Sequence, residues 1–335
     1  MSRQLLALAT LTLAFSGSAD AQALSCQHRT IPVAFRDAQD LPIHDISPTD
    51  LEAKLRGKPV RILSLKPDAR PHRVVLALDA SGSMGIAEYN TRSAWLLEPL
   101  LAANFYARVR DRSQLALITF NEQVNETAEF SPNNSSFEQI LQKINDRNYP
   151  KTGVRGRTAF RDAIFHALRL FVHPSSADAV LVLTDGGGDN ISKHNRSALL
   201  QSLEDSLVRL FFVLIPSEQH GYRNRLPEDS DPNDLSALAR STGGEILSVV
   251  QWQGQKVILT RNSESTLTTE ETLQRLYQAI VQNQLLEVAL PDAVGKREHF
   301  ELRLTATARK RWKNAQLTYP DVLNSCSAET AANAN

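Results

Sequence analysis

Short apolar runs that alternate with segments of helical period constrain this chain more than any other feature. Residues 73–78, 114–120, 179–184 and 208–215 are each too short for a buried helix and are apolar on both faces, as strands inside a parallel sheet are. A fifth strand is expected at 245–250 and an antiparallel edge at 124–130. Between them, residues 91–110, 135–146, 158–172, 197–206 and 233–242 carry helical patterns. Phe160, Ile164, Ala167, Leu168 and Phe171 fall on one helix face. Pro99 means that the first helix either kinks there or begins at Glu98, and Gly243-Gly244 stops the helix that ends at Thr242. Such alternation predicts an α/β fold, a doubly wound, mostly parallel sheet flanked by helices. The carboxyl ends of its strands then share one edge, where open sheets of this kind place their sites.

The flanking segments read differently. Residues 31–35 and 60–65 are expected strands, and residues 48–55 one short helix between them. After 250 come a strand or hairpin at 251–260, a helix at 268–284, and three stretches, 285–290, 299–306 and 315–319, that alternate apolar and polar residues. The simplest architecture pairs these last strands with those of 31–66 in a small β element. The expected division is 1–23 a leader, 24–71 the N-terminal β segment, 72–282 the α/β domain, 283–322 the C-terminal strands and 323–335 a tail, disordered from Ser327 to Asn335.

Chemistry concentrates where the first long strand ends. Asp79-Ala80-Ser81-Gly82-Ser83 offers one carboxylate and two hydroxyls at alternate positions, with Gly82 allowing a tight backbone. That is a hard oxygen half-shell suited to Mg²⁺, Mn²⁺ or Ca²⁺ rather than to zinc. A strand that ends in a Ser/Gly turn is common, and alone it proves little. Two later stretches add to it: Gly153-Val154-Arg155-Gly156-Arg157-Thr158 sets a threonine just ahead of a helix, and Val180-Leu181-Val182-Leu183-Thr184-Asp185-Gly186 ends a second strand in an aspartate.

With these residues in view, the sequence resembles the von Willebrand factor type A domain, whose metal-ion-dependent adhesion site reads Asp-x-Ser-x-Ser, then Thr, then Asp. Asp79, Ser81, Ser83, Thr158 and Asp185 match all five positions. The resemblance covers about residues 72 to 282. It implies that Ser81 and Ser83 bind a divalent ion directly, and that Thr158, Asp79 and Asp185 bind it directly or through water. The flanks, Val33-Ala34-Phe35 and Asp50-Leu51-Glu52, resemble more narrowly bacterial secreted proteins of the acidobacterial type that carry this domain.

Two carboxylates leave a dication about neutral and short of one strong ligand, a place for an acidic side chain of a protein partner. The loops of that edge bear Arg155, Arg157, Lys193, Arg223 and Arg225, a basic rim that fits such a ligand, although loop charges are usually a solvated surface. The function expected is a non-enzymatic, metal-dependent adhesion or scaffolding module. A Mg²⁺-dependent phosphoesterase built on Asp79 and Asp185 is the alternative; no D-x-D nucleophile pair supports it, and His72 falls at the far end of its strand. Lys plus Arg equals Asp plus Glu at 37 each, which gives no argument for nucleic acid or an acidic membrane surface as partner.

Residues 1–23 join Arg3, an apolar stretch from Leu5 to Phe15 and small residues up to Ala23, a secretory leader too short for a stable anchor. No later stretch reaches membrane-spanning length, so an exported protein, periplasmic or secreted, is expected. Its two cysteines, Cys26 and Cys326, are expected to form a disulfide worth ~3 to 5 kcal/mol if unstrained; lipid attachment at Cys26 is the rival.

Overall fold

A computed structural model describes residues 28–38, 41–85, 94–146, 148–149, 153–186, 188–189, 191–215, 232–253, 256–260, 269–281, 283–290 and 297–324. The expected leader, both cysteines, Arg223, Arg225 and the residues after 324 lie outside the described residues. In chain order the elements are β1 (His28–Arg36), β2 (Leu51–Leu55), β3 (Lys58–Pro67), β4 (His72–Asp79), α1 (Leu97–Val109), β5 (Ser113–Phe120), β6 (Val124–Ala128), α2 (Ser135–Ile144), α3 (Phe160–Arg169) and β7 (Ala179–Thr184). They continue with α4 (Arg196–Ser206), β8 (Arg209–Leu214), α5 (Pro232–Ser241), β9 (Ile246–Gln253), β10 (Lys256–Thr260), α6 (Thr269–Val281), β11 (Gln284–Ala289), β12 (Glu298–Leu304), α7 (Ala306–Arg311), β13 (Gln316–Thr318) and β14 (Val322–Leu323).

The apolar runs form one seven-stranded sheet in the order β10-β9-β8-β7-β4-β5-β6. The five inner strands are parallel, and β6 and β10 close the edges as antiparallel partners. Alternate residues of these strands face two separate cores. Val74, Leu76 and Leu78 join Leu101 and Phe105 of α1, Phe137 of α2 and Leu273 and Ile280 of α6. Val75 and Ala77 join Ile164 of α3, Leu199 of α4 and Leu235 of α5. Helices therefore cover both faces, and this part of the chain is an α/β fold. Pro99 falls in the first turn of α1, where its missing N–H has no intrahelical partner to lose, so the helix begins at Leu97 and does not kink there.

The second sheet has the order β13-β1-β11-β3-β2-β12-β14, built from the N- and C-terminal segments. Its two outermost strands, β13 and β14, are separated in sequence by residues 319–321 alone, so the sheet must curl toward itself. Ile31, Val33, Phe35, Leu286, Val288 and Phe300 fill the inside. Residues 48–55 do not form the expected helix: Pro48–Asp50 make one 3-10 turn, and β2 follows with Leu51, Ala53 and Leu55 buried on one side. The strand is fixed by a tight hairpin to β3 through Arg56 and Gly57, both in the left-handed region (φ 50° and 75°), as a two-residue loop requires. Residues 322 and 323, assigned by sequence in part to the tail, pair with β12.

Two polar contacts join or lock these layers. Arg36 of β1 makes a bidentate ion pair with Glu245, just before β9, with both side chains almost fully buried. Arg209, at the start of β8, is sealed inside and donates to the main-chain oxygens of Ser176, Ala279 and Ile280, the last two at the end of α6.

Candidate metal centre

Strand order sets the place of the site. From β4 the chain crosses to β5 on one side, whereas β7 lies on the other side of β4, so the winding reverses between β4 and β7. A crevice opens outside the carboxyl ends of strands at such a reversal. The register pairs Leu78 with Leu183, which brings Asp79 and Asp185 to neighbouring strand ends.

The first loop is held from below and from the side. Ala80 donates its N–H to the Phe120 carbonyl at 2.6 Å, and Ser81 donates its N–H to Asp79 Oδ1 at 2.9 Å. Asp79 Oδ2 accepts the Thr184 hydroxyl at 2.6 Å, and Thr184 Oγ1 accepts the Gly186 N–H at 3.2 Å. Residues 82–85 then make one helical turn, which sets the Ser81 and Ser83 hydroxyls 3.1 Å apart.

Two further loops converge on it. Gly82 donates its N–H to the Gly156 carbonyl and Arg155 donates to the Ala80 carbonyl, both at 2.9 Å. A Cβ at Gly82 would stand 3.1 Å from the Gly156 oxygen, so the close approach depends on glycine. Thr158 is buried two residues further on. The loop after Asp185 is tied to the same region through Asp189, which is fully buried: its carboxylate accepts the Arg161 main-chain N–H and the Ser192 hydroxyl. Asp189, which sequence reasoning did not place, therefore fastens this loop to the first turn of α3.

The expected rim is only partly described. Arg155, Arg157 and Lys193 are exposed, while Arg223 and Arg225 fall outside the described residues. An acid that the sequence did not single out stands among them: Glu122, in the turn after β5, accepts the Arg157 N–H and lies against Gly156. The basic excess of this rim is accordingly smaller than the arginines alone imply.

Asp79 and Ser81 are essentially sealed from solvent, and Asp185 nearly so. Burial, and then the charge of Asp185, pushes the Asp79 carboxyl up to about 7, against the bonds it accepts from Thr184 and Ser81. Two acids drawn together out of water, with three hydroxyls nearby, form a donor set whose repulsion a hard dication would relieve. Among the described residues no three Asp, Glu, His or Cys side chains converge as a chelating group, so a metal here would draw on hydroxyls as well as carboxylates. A third acid not singled out by sequence reasoning, Glu98 of α1, is fully buried; burial, and then the charges of Asp79 and Asp185, hold its carboxyl well above the usual carboxylate range, against a bond from the Asp79 main chain. His72 begins β4 and so lies at the strand's far end, its Nδ1 2.9 Å from the Ala177 carbonyl.

A family model for the von Willebrand factor type A domain matches residues 74–187. No curated protein matches the chain. Among solved structures, the chain is similar to the conserved hypothetical protein BatB from Bacteroides thetaiotaomicron, at 17% identity over 62% of this chain and 98% of that one, with a TM-score of 0.41. It is also similar to the PilB minor pilin from Streptococcus sanguinis, at 13% identity over 63% of this chain and 61% of that one (TM-score 0.43). A von Willebrand factor type A protein from Catenulispora acidiphila spans more of the chain, 90% against 76% of its own length, at 12% identity and a TM-score of 0.38. Identities and scores this low carry no functional argument.

Proposed function

We propose, from the premise that residues 74–187 belong to a von Willebrand factor type A domain, that this protein is a binding module rather than an enzyme. It grips a protein partner through a divalent cation. Domains of this family commonly serve as protein-interaction modules. Asp79, Ser81, Ser83, Thr158 and Asp185 would hold the ion, Mg²⁺ or otherwise Mn²⁺ or Ca²⁺. When bound, the ion supplies a coordination position open to an acidic side chain of the partner. The chain's own part is to orient the oxygens: Thr184 and the Ser81 N–H fix the Asp79 carboxylate, and the Gly82–Gly156 contact holds the Thr158 loop against Ser81. Arg155, Arg157 and Lys193, exposed on that side, favour an acidic surface, with Glu122 limiting how acidic it can be.

One observation carries this reading. Three stretches far apart in sequence meet at the reversal of strand winding, where two carboxyls are held together out of solvent. Export follows from the leader expected over 1–23 and from the flanks that resemble bacterial secreted proteins; no described helix is long and apolar enough to cross a membrane.

The test is calorimetric titration of Mg²⁺, Mn²⁺ and Ca²⁺ into the mature protein, beside a double variant carrying Asp79→Ala and Ser81→Ala. Saturable binding lost in the variant supports the centre and leads to a partner pull-down with and without chelator. Binding that the variant leaves unchanged places the ion elsewhere and removes the proposal.

A further inference from the structure

At the edge of the parallel sheet opposite the metal centre, where β7 and β8 begin, the protein encloses a cavity of about 350 Å³. Its walls come from β1 and residues 320–324 of the curled sheet and from the ends of α4 and α5 in the α/β part. Small-molecule sites have this order of volume and favour such joints. Ile31, Pro32, Leu203, Val208 and Leu323 make much of the lining apolar. Two charged side chains break that lining, and each is short of a partner. Arg29 of β1 donates from Nη2 to the Asn324 carbonyl at 2.9 Å, but its Nε is buried without a hydrogen bond, and no carboxylate pairs with it among the described residues. Burial lowers its pKa, and no neighbouring acid opposes that. Glu204, near the end of α4, has a side chain only 5% exposed. Arg297 Nη2 stands 2.7 Å from Glu204 Oε1 but is not aligned to donate, so that oxygen too is buried without a hydrogen bond. Burial raises the Glu204 carboxyl in spite of Arg297. A third feature stands at the rim. Leu207 caps α4 in the left-handed region (φ 58°), where glycine or asparagine is usual, and its side chain is 42% exposed. Water in the cavity would serve the polar atoms and leave Leu207 and the apolar lining wet.

We infer that this cavity binds a small zwitterion with an apolar body, of about dipeptide size. Its carboxylate pairs with Arg29, its ammonium donates to Glu204 Oε1 with Asp205 beside it, and its apolar side chains lie on Leu207 and the wall behind. The cationic and acidic ends are distinct, since the charges acting on Glu204 are those of Arg297, Asp205 and Asp321 and not that of Arg29. A ligand with a carboxylate alone leaves Glu204 unsatisfied, and one with an amine alone leaves Arg29 so; only a molecule carrying both completes the cavity. The site does not depend on the metal reading, because the metal centre lies at the other ends of the same strands. A ligand here touches β1 and α4 together and so ties the curled sheet to the α/β part.

The test uses the full mature chain with leucyl-leucine as the probe, read by calorimetry and by the rise in melting temperature. Saturable binding is expected. Acetylating the amine of the probe or amidating its carboxylate should each weaken binding about 10-fold or more, the effect of one charged hydrogen bond. Arg29→Met should bring the dipeptide down to the level of its amide and leave the amide unchanged. Leu207→Gly suits the left-handed backbone and so keeps the fold, and it should weaken all three probes. The double variant carrying Asp79→Ala and Ser81→Ala should bind leucyl-leucine as wild type does. No saturable binding, or binding to which neither end of the probe matters, overturns the inference. So does a preference for the free carboxylate that survives Arg29→Met, or an affinity that Leu207→Gly leaves undiminished; if Arg29→Met does not fold, Leu207→Gly and the probe series decide. Loss of dipeptide binding in the Asp79 and Ser81 double variant would place the probe at the metal centre and overturn it as well.

Discussion

Asp79→Asn should stabilise the metal-free protein, and only above a definite pH. The folded pKa of Asp79 is raised from 3.8 to about 7 by burial and by the charge of Asp185. As pH rises through that window the unfolded chain releases the proton before the folded one, so the folded state binds more protons and loses stability with rising pH. The shift spans about three pH units, equivalent to about 4 kcal/mol at pH 8. Asparagine keeps an acceptor for the Ser81 N–H and can turn its amide toward Thr184 Oγ1, but it gives up a charged hydrogen bond of about 1 to 2 kcal/mol. The net expectation is that the variant gains about 2 to 3 kcal/mol over wild type at pH 8 in chelator, and that the gain vanishes near pH 4. Asp50 and Asp68, whose folded values are lowered, and His72, likewise lowered, titrate in both proteins and cancel in the difference. Urea denaturation of both proteins in chelator, at half-unit steps across this range, measures it. Mg²⁺ at a thousand times Kd should reverse the order at pH 8, because it stabilises wild type by about 4.1 kcal/mol and leaves the variant behind. A difference that does not depend on pH, or wild type the more stable at pH 8 in chelator, refutes the reasoning.

Gly82→Ala places a methyl 3.1 Å from the Gly156 oxygen; thermal melts should show a loss of about 1 to 3 kcal/mol, and calorimetry a weaker hold on Mg²⁺, as the two loops part. Arg36→Met strips Glu245 of its bidentate cation inside the protein, and urea midpoints should fall by the equivalent of about 3 to 5 kcal/mol. Arg29 donates to the Asn324 carbonyl at 2.9 Å, which sets side by side two positions three residues after Cys26 and two before Cys326. The unreduced mature protein should therefore weigh two hydrogens less than the reduced one and should lose about 2 to 5 kcal/mol on reduction; a lipid-sized mass at Cys26 instead would sink the disulfide.

The long strands and helices were legible because their periods are long and uniform, and the strand-end acids because a buried strand must end where its sequence turns polar. Other features were hidden for physical reasons. Residues 51–55 are good helix formers, and only pairing with β3 and β12 makes them a strand. The Arg56-Gly57 turn was the local signal for it. Thr184 sits one place before Asp185 and reads as part of an apolar run, yet its hydroxyl is what steadies Asp79. Glu98 stands in the first turn of α1, and nothing in its sequence neighbours reveals that the fold buries it completely. Arg209 has the same character: a charge at a strand's edge in sequence, and in space a clamp on three carbonyls.

The α/β part is inserted into the curled sheet through two adjacent strands of chain, and the Asp68 N–H donates to the Asn283 carbonyl at 2.9 Å where they leave it. That neck decides where mechanical load travels. Tension applied between residues 28 and 324 is borne by the curled sheet, where the Arg29–Asn324 contact already ties the two points, and bypasses the metal centre. Tension applied by a partner gripping the centre is carried by both strands of the neck, which share the pull between the hydrogen-bonded neighbours β3 and β11, and by the Arg36–Glu245 pair beside them. The protein thus resists a tug on its ligand with a sheet sheared along its strands rather than with a single linker that could be peeled away.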